Sequence, residues 1–374
     1  MVARDDAAAL AAAAQVDAAA ESGVLAGVPV TVKDWIEVAG MPCEGDQSEG
    51  TGRVPGSDAT AVARLHSAGA VVVAKTQPQA DHPVHGRCEH PADPGRTPGG
   101  SSSGEAALIG AGASPVGLGS DSGGSIRLPA AWCGVAGLKP SYGLVPNTGH
   151  VPVVGFRQDG RTVIGPMATN VAWLTAVLRV IAGPDGVDGG CAPVPIGEPA
   201  DVPPGTVRAA VVESGGGWRP QPSTAAALDG AVRVVEERGG MISGEAFPVG
   251  LDESFDITMR YWRRAALSGA EADQQLRDWD RYVRRVSRAA RDVDVILSPV
   301  VADVAPVRRD MVGEDYGWTL PWSLSGWPAV SVPFGVDGST GLPLAVQVVA
   351  TRWHDHVALA VAGWIEEAGG TTWS

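Results

Sequence analysis

The sequence predicts an α/β fold in which helices pack on a largely parallel sheet. Two observations carry that expectation. Short β-branched apolar runs alternate with segments whose apolar residues recur at helical spacing. The chain of 374 residues is also 44% hydrophobic and 19% charged, enough to bury a sizeable core. Its 50 glycines and 29 prolines make it loop-rich but stop short of a low-complexity composition.

The elements follow in chain order. Residues 1–21 are Ala-rich but carry Asp5, Asp6 and Asp17. They read as a surface helix, because a secretory signal runs from basic to apolar. Residues 27–33 (GVPVTVK) form an alternating apolar strand that ends on Lys33. Residues 57–69 read as a helix, with Ser57 or Asp58 capping its start and Gly69 supplying a left-handed stop. A buried strand follows at 70–75. From 91 to 149 the chain is dense in Gly, Ser and Pro, yet AALIGAGASPVGLG (106–119) is too apolar for a linker. That region reads as core threaded by tight turns. Downstream, strands are expected at 206–214, 292–299, 328–334 and 343–350, and helices at 223–240 and 355–370. The Pro/Gly-rich stretch 184–205 reads as a surface connection. Strands flank it on both sides, so one domain over 1–374 is expected.

Charge and cysteine content narrow the function. The net charge of −14 disfavours nucleic acid, which needs local positive charge. Cys43, Cys88, Cys133 and Cys191 are widely spaced without a CxxC pair, so they read as reduced thiols of a cytoplasmic protein. No run of ~20 strongly apolar residues suggests a membrane span. Only three of the 28 cationic residues are lysines, namely Lys33, Lys75 and Lys139. Unlike Arg, a desolvated Lys can give up its proton near neutral pH.

Three segments carry chemistry: GVPVTVKDWIEVAG (27–40), PGGSSSGEAALIGAG (98–112) and GLGSDSGGSIRLPAAWCGVAGLKPS (117–141). Glycine-rich turns let backbone approach a ligand closely, and their consecutive N–H groups can hold an anion. Serines in two such loops, with a strand-end Lys, supply a nucleophile, a relay and a base. The run from Gly99 to Pro140 closely resembles the signature of the amidase signature family of serine hydrolases. The resemblance extends to GVPVTVKD, AVARLHSAGAVVVAKT, GPMATNVAWLTAVLRVIAGPD, DVDVILSPV and GWPAVSVPFGVDGSTGLPLAVQVVA.

That resemblance implies a single α/β/α sandwich around a mixed, largely parallel sheet, with no cofactor or metal. It implies a Ser–cis-Ser–Lys triad: Ser125 as nucleophile, Ser101 as proton relay after a cis peptide bond, and Lys33 as base. Backbone N–H groups of Ser122, Gly123, Gly124 and Ser125 would form the oxyanion hole. Ser102 would hydrogen-bond near Lys33, Asp121 would hold the loop, and Arg127 would brace it. Trp318 and Trp322 would approach the acyl site. Lys33 must be neutral through burial, so Asp34 should point away from it.

The sequence also departs from the family. GGSSSG replaces the usual GGSSGG, which would strain Ser103 if that position needs a positive φ. The chain is short before Lys33 and between 248 and 292, a stretch that walls the acyl pocket in relatives. A more open pocket, or one completed by a partner chain, is therefore expected. Lys75 and Lys139 read as structural, and His82, His85 and His90 as loop histidines and not a metal cluster.

The leading reading is a metal-free amidase acting on a small carboxamide or N-acyl amine, with a homodimer compatible with the sequence. The alternatives are an amidotransferase-type subunit that passes ammonia to a partner, or a non-catalytic acyl-binding homologue. A nucleotide-binding module is disfavoured, because GLGSDSGG lacks both GxGxxG spacing and the GxxxxGK[ST] lysine.

Overall fold

The computed structural model describes residues 1–19, 23–45, 52–154 and 159–369. Its strands are β1 Pro29–Lys33, β2 Val71–Thr76, β3 Asp81–His82, β4 Gly86–Arg87, β5 Val116–Asp121, β6 Ala136–Lys139, β7 Val163–Ala168, β8 Arg208–Val211, β9 Met241–Ile242, β10 Val295–Pro299, β11 Ala329–Val336 and β12 Pro343–Ala350. Its helices are α1 Asp6–Ala18, α2 Thr60–Ser67, α3 Ser103–Gly110, α4 Arg127–Cys133, α5 Val171–Ile181, α6 Pro222–Glu237, α7 Leu251–Trp262, α8 Gly269–Ala289, α9 Leu320–Ser325 and α10 Asp355–Gly369.

Apart from the small β3–β4 ribbon, the strands form one mixed sheet in the order β2-β1-β5-β7-β6-β11-β12-β10-β8-β9. Parallel pairs lie at the flanks, β2–β1–β5 on one side and β10–β8–β9 on the other. The centre is antiparallel, from β5–β7 through β12–β10. The sheet takes strands from both sides of the 184–205 connection, which carries short 3₁₀ turns at Pro199–Asp201 and Pro204–Thr206.

Strand alternation divides the core into two faces. Val30, Val32, Val116, Leu118, Val346 and Val348 join α2, α5, α6 and α10 in one apolar cluster. Ile296, Ala329 and Val349 face the other way, toward the layer holding α7, α8 and α9. Lys33 therefore points away from the first cluster, with α3 and α4 packed over its side of the sheet.

Local chemistry explains most boundaries. Asp5 caps α1 through Ala8 N at 2.9 Å, and none of that helix is buried. Gly69 takes φ +88 after α2. The expected cap of α2 is not made: its N-cap is Ala59, without a side-chain bond. Asp58 instead accepts from Ala39 N at 2.7 Å and pairs with His66 Nδ1 at 3.0 Å, so a tertiary donor has taken the capping carboxylate. Residues 20 and 21 of the first expected helix and Gly370 of the last lie outside the described residues.

The stretch 248–292 holds two strongly amphipathic helices that are not among the elements expected from the sequence, α7 and α8. α8 is polar overall, and only Gln275, Tyr282 and Val286 on its inward face are buried. A full capping box of Ser268 and Glu271 starts it. Among the described residues, no helix is long and apolar enough to cross a membrane.

Candidate active site

β1 and β5 are parallel neighbours, pairing Val32 with Leu118. Lys33 is the last residue of β1 and Asp121 the last of β5. Both strands thus end at one edge of the sheet, the usual place for a ligand beside parallel strands. The loop 122–125 follows β5 into α4. Ser101 lies just before α3, and its peptide bond with Gly100 is cis.

Lys33 is fully buried. Its Nζ lies 2.9 Å from Ser101 Oγ and 3.1 Å from Ser120 Oγ, and 4.1 Å from the centre of the Trp35 ring. Burial works against the charged amine. An ammonium donates to both hydroxyls, whereas a neutral amine can accept from one, because hydroxyl hydrogens rotate. Asp34 turns away, accepting from Glu44 N and Gly45 N at 3.1 Å each. Burial raises its carboxyl above the ordinary range, against the pull of Lys75 and these N–H groups.

Ser120 is not a residue the sequence singles out. It reaches Lys33 because β1 and β5 pair in parallel across 87 residues of chain, and only that register could have signalled it. Ser102 donates to the Ser120 carbonyl at 3.4 Å, in the neighbourhood of Lys33 as expected. Ser103 starts α3 and donates to the Gly99 carbonyl. It is not among the described residues with positive φ, so the feared strain is absent; Gly99 takes that role at φ +82.

A further buried carboxyl lies between β1 and β2. Glu105 is fully buried and accepts from Thr31 Oγ1 and, at 2.6 Å, from Thr76 Oγ1. Burial pushes its pKa up to about 7, against the hydroxyl bonds and the charges of Lys33 and Lys75.

Ser125 is buried at 9% exposure and sits between Gly124 and the start of α4. Among the described residues its hydroxyl makes no hydrogen bond to Ser101. Catalytic contacts of unliganded sites are often long and tighten only around substrate. Asp121 holds the loop, accepting from Gly124 N at 2.8 Å and Ile126 N at 3.2 Å. This corrects the expected oxyanion hole: the N–H of Gly124 is committed to a buried carboxylate. The N–H groups of Ser122, Gly123 and Ser125 have no acceptor among the described residues.

Arg127 is fully buried against Asp121, with Nε and Nη2 each 3.0 Å from its oxygens. It also donates to the Thr319 carbonyl, Gln347 Oε1 and Ser323 Oγ at 2.7–2.9 Å. Burial pushes the Asp121 carboxyl up, but the Arg127 guanidinium and its hydrogen bonds outweigh that and hold it below the ordinary range. Gly124 takes φ +141, and a Cβ there would stand 3.0 Å from Tyr316 Cδ1. Tyr316 in turn donates to the Gly100 carbonyl at 3.2 Å, tying the two serine loops together.

The other two lysines have backbone partners. Lys75 donates to the carbonyls of Asp34 and Ile36 at 3.0 and 2.6 Å. Lys139 donates to those of Pro140 and Trp327 at 3.1 and 2.8 Å. The loop histidines cap turns: His82 Nδ1 accepts from Val84 N, and His90 Nδ1 from Ala92 N.

A cavity of about 480 Å³ opens beside Ser101, Ser120 and Ser122. Trp35, which follows Lys33 by two positions, and Trp262, at the end of α7, line it. The two tryptophans expected there lie elsewhere. Trp322 is fully buried between Phe247 and Trp327, because all of α9 is buried. Trp318 borders a separate cavity of about 620 Å³ with Trp132, Trp218 and Phe255. The stretch 248–292 thus contributes a wall from within this chain, through Trp262 and Arg264.

The chain matches the Amidase family model over residues 1–274 and 246–359. It is 32% identical over 410 aligned positions to a glutamyl-tRNA(Gln) amidotransferase subunit of Thermus thermophilus, covering 92% of this chain and 85% of that protein. Among solved structures, it is similar to 6-aminohexanoate cyclic dimer hydrolase complexed with substrate, with TM-score 0.86 and 26% identity over 99% of this chain and 90% of that one. It is also similar to a chain from an inhibitor-bound vestigial protein complex tied to the origins of an s-triazine catabolic enzyme. There the TM-score is 0.87, at 25% identity over 99% and 91% of the two chains.

Proposed function

This chain belongs to the Amidase family, and we propose that it hydrolyses a carboxamide or N-acyl amine through an acyl intermediate on Ser125. The observation that carries the reading is the 2.9 Å contact between the buried Lys33 amine and the Ser101 hydroxyl.

In this mechanism neutral Lys33 accepts a proton from Ser101 as Ser101 accepts one from Ser125. Ser125 Oγ attacks the amide carbon and the carbonyl oxygen becomes an oxyanion. The uncommitted N–H groups of Ser122, Gly123 and Ser125 are the candidates to receive it, each such donor being worth roughly 3–4 kcal/mol of barrier. The C–N bond breaks as the leaving nitrogen takes the proton back through Ser101. Water then adds to the acyl ester, gives its proton to the same relay, and releases the acid from Ser125. Ser120 holds the amine in place, and Asp121 with Arg127 keeps the nucleophile loop rigid.

The kinship with the glutamyl-tRNA(Gln) amidotransferase of Thermus thermophilus favours a second reading, in which the freed ammonia passes to a partner protein. Both readings share the acylation of Ser125. The test is the purified chain alone, presented with simple primary carboxamides. Ammonia release and an acyl adduct on Ser125, both lost in Ser125→Ala, are expected for the first reading. Release that appears only with a partner would select the second. Release that persists in Ser125→Ala would rule out the nucleophile.

A further inference from the structure

The cavity beside Ser101 is lined by three buried polar atoms that have no partner among the described residues: Trp35 Nε1, His150 Nε2 and Arg161 Nη1. His150 and Arg161 are 3% and 1% exposed, so water does not bathe them as it would a surface group. Buried polar groups are nearly always paired, and three orphans around one cavity call for a ligand.

Their polarities can be assigned. Indole and guanidinium nitrogens only donate. His150 Nδ1 lies 2.9 Å from the Pro152 carbonyl, which only accepts, so Nδ1 carries the hydrogen. Burial lowers the His150 pKa to about 4, with Lys33 adding to that and the Pro152 bond opposing it. The ring is therefore neutral near pH 7, and Nε2 presents a lone pair. The three unpartnered atoms are thus two donors and one acceptor.

Arg161 is fixed by its neighbours. Its Nε lies 3.3 Å from Asp159 Oδ1, and its guanidinium stacks 3.9 Å from the Tyr261 ring. Arg264 stacks on the same ring at 4.1 Å and also lines the cavity. Among the described residues lining this wall, two guanidiniums face one carboxylate, that of Asp159, which leaves an excess positive charge.

We infer that this cavity selects an amide substrate bearing a free carboxylate, seated on Arg161 Nη1 and Trp35 Nε1, with His150 Nε2 accepting from a substrate N–H. The inference rests on the reading of Ser125 as the nucleophile of the same site.

The test measures binding separately from turnover. Calorimetry on the Ser125→Ala chain compares succinamate, glutaramate and adipamate with neutral amides of equal length in which a methyl ketone replaces the carboxylate. At least one acid is expected to bind tenfold to a hundredfold tighter than its neutral counterpart, as a buried hydrogen bond to a charged group allows. In the same background, Arg161→Met should bring that ratio to within about threefold, and Trp35→Phe should lower it several-fold by removing one donor. Acids that bind no tighter than their neutral partners would overturn the inference, even if Arg161→Met fails to fold. Ammonia release by the wild-type chain is scored in parallel. Carboxylate preference without release would sink the hydrolytic reading and keep the carboxylate seat, whereas release with equal binding would do the reverse.

Discussion

Replacing Arg127 by Met should loosen the nucleophile loop through electrostatics more than through lost volume. Arg127 and Asp121 are both completely buried, and the guanidinium makes five hydrogen bonds to Asp121, Thr319, Gln347 and Ser323. Breaking a buried ion pair by removing one partner leaves an uncompensated charge and costs about 3–5 kcal/mol. With unfolding entropy scaling with length, that is a fall in Tm of roughly 4–6 °C for a chain of this size. The pH dependence separates this from simple loss of packing. In the wild type the Asp121 carboxyl lies below its ordinary value of 3.8. Its contribution is therefore fully present above that value and lost as pH falls through the folded pKa. Without Arg127, burial dominates and raises the carboxyl, so the variant favours the protonated form. The stability gap between the two should be widest near neutral pH and shrink toward pH 4. Thermal melts of both proteins across pH 4–8 measure it, and kcat for a carboxamide reports the looser loop. A variant melting within about 1 °C of wild type at pH 7, or a gap that does not change with pH, would refute the reasoning.

Three other outcomes can be checked. Gly124→Ala forces a side chain into a backbone at φ +141, with its Cβ 3.0 Å from Tyr316; kcat should fall by about a hundredfold or more as the oxyanion donors move, and a loss under threefold would show that the loop geometry is dispensable. Glu105→Gln removes a carboxyl raised from 4.5 to about 7. Because the folded state binds that proton more tightly, the wild type should lose on the order of 3 kcal/mol between pH 4.5 and 7 that the variant keeps; parallel stability curves for the two would exclude it. Lys33→Met should abolish the rise of kcat/KM toward alkaline pH, since that rise reports the amine shedding its proton; an unchanged profile would remove Lys33 from the role of base.

The strand-ending Lys33, the serines at 101 and 125, and the alternation of β-branched runs with amphipathic helices are all legible in the sequence. These are local features: a strand shows its period within six residues, and a glycine-rich turn shows its composition within ten. The same locality explains the misses. Asp58 reads as a helix cap, but Ala39 N, nineteen residues earlier, claims its carboxylate. Gly124 reads as an oxyanion donor, but Asp121 turns inward and takes its N–H. Trp322 stands in a segment that resembles pocket wall, yet a wholly buried α9 carries it into the core.

By itself, then, the sequence determined the layer architecture and which residue types are on offer as nucleophile, relay and base, because those follow from short-range periodicity and motif. Only the tertiary structure decided what surrounds them. Ser120 reaches Lys33 through the parallel register of β1 and β5, Glu105 bridges Thr31 and Thr76, and Trp35, His150 and Arg161 converge on one cavity from separate stretches of chain. The physical reason is that burial and hydrogen-bond partnership depend on distance in space. That distance is set by strand pairing across tens of residues, which one-dimensional spacing does not record.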